Sequence, residues 1–208
     1  MQVLGLRLSA RVRDHLRGIE AIDPERREAL DQLASWIDGR RAAGQPVRLL
    51  FICTHNSRRS HMGQLWAATA AAHFGVDDVA TFSGGTEATA FNPRAVASLQ
   101  RAGFEIEPNG DGDNPRYEVS YSPSQPVLWA WSKTYDDSAN PSDGFAAVMT
   151  CSAADEACPF VRGADLRIAI PYDDPKAADG TPHEAATYDE RSAQIATEML
   201  YVFSRVRA

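Results

Sequence analysis

The stretch that decides the fold runs Val47-Arg48-Leu49-Leu50-Phe51-Ile52-Cys53-Thr54-His55-Asn56-Ser57-Arg58-Arg59-Ser60-His61-Met62. Val47, Leu49, Leu50, Phe51 and Ile52 crowd into its opening, the density of a buried strand. A polar loop follows, and a helical pattern then runs from Ser60 to Phe74. Strand, loop and helix in this order predict an α/β fold. Cys53 and Arg59 are separated by five residues across the loop. A loop that enters a helix N-terminus turns backbone N–H groups inward, and the helix dipole favours negative charge there. Thr54, His55, Asn56, Ser57, Arg58 and Arg59 are therefore the candidate cradle for a tetrahedral oxyanion. Arg59 would supply a two-pronged guanidinium clamp. Cys53 stands where a thiolate nucleophile is favoured, with Ser60 as a hydrogen-bond donor to it. Arg58, His55 and His61 add positive potential at the same place. The competing interpretation makes Cys53 a small buried strand-end residue and Arg59 a surface helix residue.

Upstream of the strand, Arg7, Arg11, Arg13 and Arg17 interrupt every short apolar run, so no secretory leader is expected. Asp23 as N-cap, Pro24 in the first turn, Leu30, Leu33 and Ile37 on one face, and a stop at Gly44 and Pro46 predict a complete helix, which speaks against an organellar transit segment. Residues 1–46 are assigned to a helical N-terminal extension. They carry 8 basic and 7 acidic side chains, so the net charge of −7 belongs to the remainder of the 208-residue chain. An acidic body repels nucleic acid and anionic membrane surfaces, and neither is expected as a partner. The odd count of three cysteines fits a reducing, cytoplasmic compartment better than a secreted disulfide framework. No cofactor and no metal are expected.

Downstream, residues 47–208 form the main domain, interrupted at about 108–144. There Tyr117, Val119 and Tyr121 alternate, a Ser122-Pro123-Ser124-Gln125-Pro126 turn follows, and Val127, Trp129 and Trp131 alternate again. This pattern predicts an inserted β-hairpin whose aromatic face packs on the domain. A further strand is predicted over Leu166–Ile170. Thr181 to Glu184 and Thr187 to Glu190 both have the spacing of a capping box for the last helix, whose core stripe is Ile195, Met199, Val202 and Val206. Cys151 and Cys158 lie seven positions apart. On an intact helix that is about 10.5 Å, beyond the roughly 7 Å that a disulfide spans, so pairing them requires unwinding.

Leu49 to Met62, Ser83-Gly84-Gly85-Thr86-Glu87, Phe91-Asn92-Pro93-Arg94-Ala95-Val96 and Asp173-Asp174-Pro175, in this order, resemble the low-molecular-weight protein tyrosine phosphatase and thioredoxin-coupled arsenate reductase superfamily. The likeness covers roughly residues 47–106 and 145–206. The resemblance implies a four-stranded parallel sheet flanked by helices, with Cys53 as nucleophile, Arg59 as oxyanion clamp and Asp174 as general acid. Such an acid makes independent sense, because a leaving oxygen must be protonated while the thiolate attacks from the other side. Asp173 is expected to be a solvated turn residue. The spacing of Cys151 and Cys158 resembles the reductases most closely. It implies that Cys151 attacks the Cys53 adduct and that Cys158 resolves the disulfide, leaving an exposed pair for a thioredoxin-like or low-molecular-weight thiol reductant. The alternative for these two is a pair of inert buried cysteines.

The chain also departs from the superfamily. His55 replaces a frequent glycine, Arg58 a frequent cysteine or isoleucine, and Lys176 follows Asp-Pro where the phosphatases place tyrosine. The last change favours a small inorganic oxyanion over phosphotyrosine. The ion-binding side chains of the family have no clear counterparts, so no structural potassium site is expected. Three functions fit this set: a thiol-dependent arsenate reductase, a low-molecular-weight tyrosine phosphatase using the same loop, and a non-catalytic oxyanion or redox sensor, for which the sequence offers no output module.

Overall fold

The computed structural model describes residues 4–158 and 160–207. Strand β1 (Val47–Cys53) pairs in parallel with β2 (Val79–Gly85) on one side. On its other side it pairs with β6 (Phe145–Met149), which pairs in turn with β7 (Ala164–Ala169). The expected four-stranded parallel sheet is thus present, in the order β2-β1-β6-β7. Open sheets of this kind place their sites beyond the carboxyl ends of the central strands, and β1 and β6 lead there into Cys53 and Cys151.

Helix α3 (Arg59–Phe74) follows β1, and its residues from Ser60 to Ala72 are all buried. One side of it lies on the sheet, where Gly63 faces Phe51 so closely that a Cβ would stand 2.9 Å from the ring carbon Cγ. The other side packs on the last helix, α6 (Glu184–Arg205), where the Trp66 indole donates to Ser192 Oγ at 2.9 Å. The predicted α6 stripe of Ile195, Met199, Val202 and Val206 is buried.

In the N-terminal segment, α1 (Leu6–Leu16) and α2 (Pro24–Ala42) both pack against α6. Asp23 caps α2, accepting from the Glu25 amide at 2.9 Å, and Leu30, Leu33 and Ile37 are fully buried. Helix α4 (Pro93–Ala102) is capped by Asn92, which accepts from the Arg94 amide at 2.9 Å.

A second, three-stranded antiparallel sheet consists of β3 (Glu105–Asn109), which begins ahead of the segment expected to be an insertion, β4 (Arg116–Ser120) and β5 (Leu128–Ala130). β4 and β5 are the expected hairpin, but β5 is turned over relative to the sequence pattern. Leu128 and Ala130 oppose Val119 and Tyr117 and face inward, whereas Trp129 opposes Glu118 and is 41% exposed. A two-residue alternation defines two faces without saying which is buried, and the smaller side chains fit beneath Tyr117. Strand β7 begins and ends slightly earlier than expected. The Thr187 box is not a cap either: Thr187 lies within α6 and its hydroxyl donates to the His183 carbonyl at 3.0 Å. The Thr181 segment does fold back, with the Glu184 carboxylate accepting from the Gly180 amide at 2.6 Å. No helix among the described residues is long and apolar enough to cross a membrane.

Candidate active site

Residues 54–58 connect the end of β1 to the start of α3. The carbonyl of Thr54 accepts from the Glu87 amide at 2.8 Å and the Thr86 hydroxyl at 3.1 Å. That of His55 accepts from Ser132 Oγ at 2.9 Å and Thr89 Oγ1 at 3.2 Å, and that of Ser57 from the Asn92 amide at 2.9 Å. Across a planar trans peptide the N–H points opposite to the carbonyl. Carbonyls engaged by the surrounding loops therefore turn the following amides, those of His55, Asn56 and Arg58, toward the other side, as an anion cradle requires. Gly85 allows β2 to come this close, since a Cβ there would lie 2.6 Å from the Asn56 nitrogen and 2.7 Å from the Thr54 oxygen.

Asn56 organises the interior of the loop. It is fully buried with φ of 44°, a left-handed conformation that asparagine tolerates better than most side chains. Its Oδ1 accepts from the Lys133 amide at 2.9 Å, which fixes the side-chain orientation and leaves Nδ2 to donate to Ser60 Oγ at 2.9 Å. The Ser60 hydrogen is then free to point at Cys53 Sγ, 3.1 Å away. Cys53 and Ser60 thus meet as expected.

Arg59 is 12% exposed and spans two acceptors, the Tyr172 carbonyl at 2.8 Å and Asp174 Oδ2 at 2.8 Å. Asp174 also accepts from the Lys176 amide at 3.0 Å, capping the short 3-10 turn Pro175–Ala178. Asp173 points away, 94% exposed and paired with Arg191 at 3.3 Å. Of the two carboxyls, Asp174 is the one brought to the loop. Arg58 donates to Tyr188 Oη at 2.8 Å and lies 4.0 Å from Asp174 and 3.8 Å from Asp179. The Tyr188 hydroxyl donates in turn to Asp179 at 2.8 Å, and its pKa is pushed up to about 12 by burial first and then by this carboxylate.

Of the two histidines, His61 does not reinforce the positive potential as expected. His55 is 46% exposed on the rim, 3.7 Å from Glu87. His61 is fully buried, stacked on Phe91 with centroids 3.9 Å apart and sharing a 3.1 Å hydrogen bond with Ser83. Burial, and after it the charge of Lys133, holds His61 well below the ordinary histidine range, so it is neutral at pH 7.

Cys151 and Cys158 bracket the six-residue helix α5 (Ser152–Ala157) rather than lying within a longer one. The Cys151 sulfur is the N-cap, accepting from the Ala154 amide at 3.4 Å, and it lies 3.5 Å from Thr54 Oγ1 in the Cys53 loop. Cys158 is partly exposed at the other end, where its carbonyl accepts from Arg167 at 2.8 Å. Cys53 and Cys151 belong to one buried apolar cluster with Leu50, Ile52 and Met149, and the partly buried Cys158 packs against it. Tyr172, Tyr188, Ser132 and Lys133 were not singled out from the sequence. They act through backbone groups or single hydroxyls far from the loop in sequence, and no local pattern marks them.

Comparison with known proteins places these observations in context. Residues 48–111 match the family model described as low molecular weight phosphotyrosine protein phosphatase. An arsenate reductase of Bacillus licheniformis is 29% identical over 144 residues, 69% of this chain and 84% of the relative. One from Bacillus subtilis is 29% identical over 143 residues, with the same shares. Among solved structures, a low molecular weight protein tyrosine phosphatase from T. tengcongensis superposes with a TM-score of 0.52 at 17% identity, over 77% of this chain and 99% of that one. An arsenate reductase in a phosphate-binding state gives 0.50 at 16% identity, with equal shares. At these identities the two structures speak to the fold.

Proposed function

We propose that the chain, which matches the low molecular weight phosphotyrosine protein phosphatase model over residues 48–111 and is 29% identical to arsenate reductases of two Bacillus species, is a thiol-dependent arsenate reductase. The observation that carries this is the buried cluster that holds Cys53 and Cys151 and has Cys158 packed against it, with Cys151 buried against Thr54 of the nucleophile's own loop. Phosphoester hydrolysis needs only the first thiol, whereas a relay needs all three within reach of one another. In the first step the Cys53 thiolate attacks arsenic(V), with Arg59 and the loop amides holding the oxyanion and Asp174 giving a proton to the departing oxygen, which leaves as water. The Cys151 thiolate then attacks the Cys53 sulfur. A disulfide forms, the sulfur–arsenic bond breaks, and its electron pair goes to arsenic, which leaves as arsenite.

Cys158 attacks Cys151 next, releasing Cys53 and leaving a Cys151–Cys158 disulfide for an external thiol reductant. Because α5 is short and held at its start by the Cys151 cap, transfer of that sulfur removes a hydrogen bond that keeps the helix wound. Loss of the helix lets two cysteines at opposite ends approach within disulfide range. The residue roles in this sequence are proposed, as are a small oxyanion substrate and a thioredoxin-like reductant. Asp174 beside Arg59 suits a phosphatase equally, so the test compares arsenate-dependent NADPH oxidation, with thioredoxin and its reductase, against aryl phosphate hydrolysis. Arsenate turnover that is abolished by Cys53→Ser and falls to a single turnover in Cys158→Ser is the expected result. Absence of arsenate turnover with every thiol donor overturns the proposal, and full activity in Cys151→Ser overturns the relay.

A further inference from the structure

Arg26 lies in the first turn of α2, outside the family-matched segment that begins at residue 48. Its Nε lies 3.1 Å from both carboxylate oxygens of Glu198 on α6, and its Nη2 lies 2.9 Å from one of them. The Glu198 side chain is 4% exposed and also accepts from Gln194 at 3.2 Å and from the Tyr172 hydroxyl at 2.8 Å. The Arg26 guanidinium sits 4.8 Å from the centre of the Tyr172 ring, so the ring is gripped at its hydroxyl and over its face. Tyr172 is buried, and its backbone joins two parts of the site. Its amide donates to Thr150, next to Cys151, at 3.1 Å, and its carbonyl accepts from Arg59 at 2.8 Å.

We propose that Arg26 and Glu198 are positioning residues for the oxyanion site, holding Tyr172 so that its carbonyl orients the Arg59 guanidinium. The N-terminal helix thereby takes part in the site. Arg59 has one prong on Asp174 and one on Tyr172; displacement of Tyr172 frees the second prong and lets the guanidinium rotate away from the pair of oxyanion oxygens it would face. A buried charge pair is a poor source of net stability beside apolar packing, but it imposes one geometry, which suits this role.

The inference rests on the oxyanion reading of the Cys53 loop, and inorganic phosphate serves as a probe that needs no turnover. In the full-length protein, Tyr172→Phe removes one hydroxyl and keeps the ring. Arg26→Gln breaks the forked pair, and Arg26→Lys restores only the charge. Phosphate dissociation constants by calorimetry should rise roughly tenfold in Tyr172→Phe and Arg26→Gln, the scale of coupling within one hydrogen-bonded network, and recover partly in Arg26→Lys. The decisive measurement repeats Tyr172→Phe in an Arg59→Lys background. The effect should vanish there, since the path runs through the Arg59 fork, whereas general loosening of the fold would weaken binding in both backgrounds. Unchanged affinity in Tyr172→Phe, or an equal loss in both backgrounds, overturns the positioning role while leaving the oxyanion site standing. Wild-type protein that binds no phosphate overturns both.

Discussion

Lys133 is 5% exposed, and its ammonium lies 4.2 Å from the Trp131 ring centre, with Arg116 4.5 Å from the same ring. Burial pushes its pKa from the ordinary 10.5 down to about 8, with Asp137 opposing and Arg116 assisting. Between those two values the unfolded chain keeps a proton that the folded chain has lost, so this group makes stability rise with pH across the interval. Below pH 8 both states are protonated and the folded one carries the full penalty, about 3 kcal/mol at about 1.4 kcal/mol per pKa unit. Lys133→Met keeps the apolar stem and removes the charge, and loses a cation–π contact worth about 0.5–2 kcal/mol. The variant should therefore be more stable than wild type by about 2 kcal/mol at pH 7, an advantage that shrinks steadily from pH 8 toward 10.5. Urea unfolding of both proteins at pH 7, 8, 9 and 10 measures it. Tyrosine ionisation is common to the two proteins and cancels in the difference. A difference that does not vary with pH, or a variant less stable at pH 7, would refute the burial argument.

Two further predictions concern the loop. Ser60→Ala removes the hydrogen bond to Cys53 and leaves Asn56 Nδ2 without its acceptor. Because a hydrogen bond to a charged group contributes about 1.5–3 kcal/mol, kcat of the proposed arsenate reduction should fall roughly tenfold to a hundredfold, and steady-state kinetics showing wild-type turnover would contradict the network. Gly85→Ala puts a methyl against backbone atoms of Thr54 and Asn56, which cannot rotate aside. Overpacking of about 1–3 kcal/mol should lower the melting temperature by several degrees and weaken phosphate binding; unaltered calorimetry on both counts would show that the loop yields.

Much of the site was written locally. The apolar run ending at Cys53, the arginine after five intervening residues and the serine beyond it lie on consecutive pieces of chain, and strand, loop and helix geometry alone brings them together. The parallel sheet was legible only through the resemblance to a known superfamily, since an apolar run marks a buried strand without saying how it pairs. The role of Lys133 was not, because it holds the loop through a main-chain N–H that any residue other than proline possesses. Nor was the neutrality of His61, a matter of what surrounds the ring and not of which residues flank it in sequence.

The burial of β5 shows the same limit in the fold. Alternation along the strand is a property of one segment, whereas the choice of face depends on Val119 and Tyr117 across the ladder. By itself, then, the sequence determined the strand-loop-helix unit around Cys53 and the positions of three thiols, consequences of local periodicity and short spacing, and its resemblance to a known superfamily supplied the fold class. Only the tertiary structure decided that Arg59 spans Asp174 and the Tyr172 carbonyl, that Cys151 sits against the loop of Cys53, and that Arg26 reaches Tyr172 through Glu198. Asp174 with Arg59, Cys151 with Thr54 and Arg26 with Glu198 each join residues more than 90 positions apart, brought together only when the helices pack on the sheet and on one another.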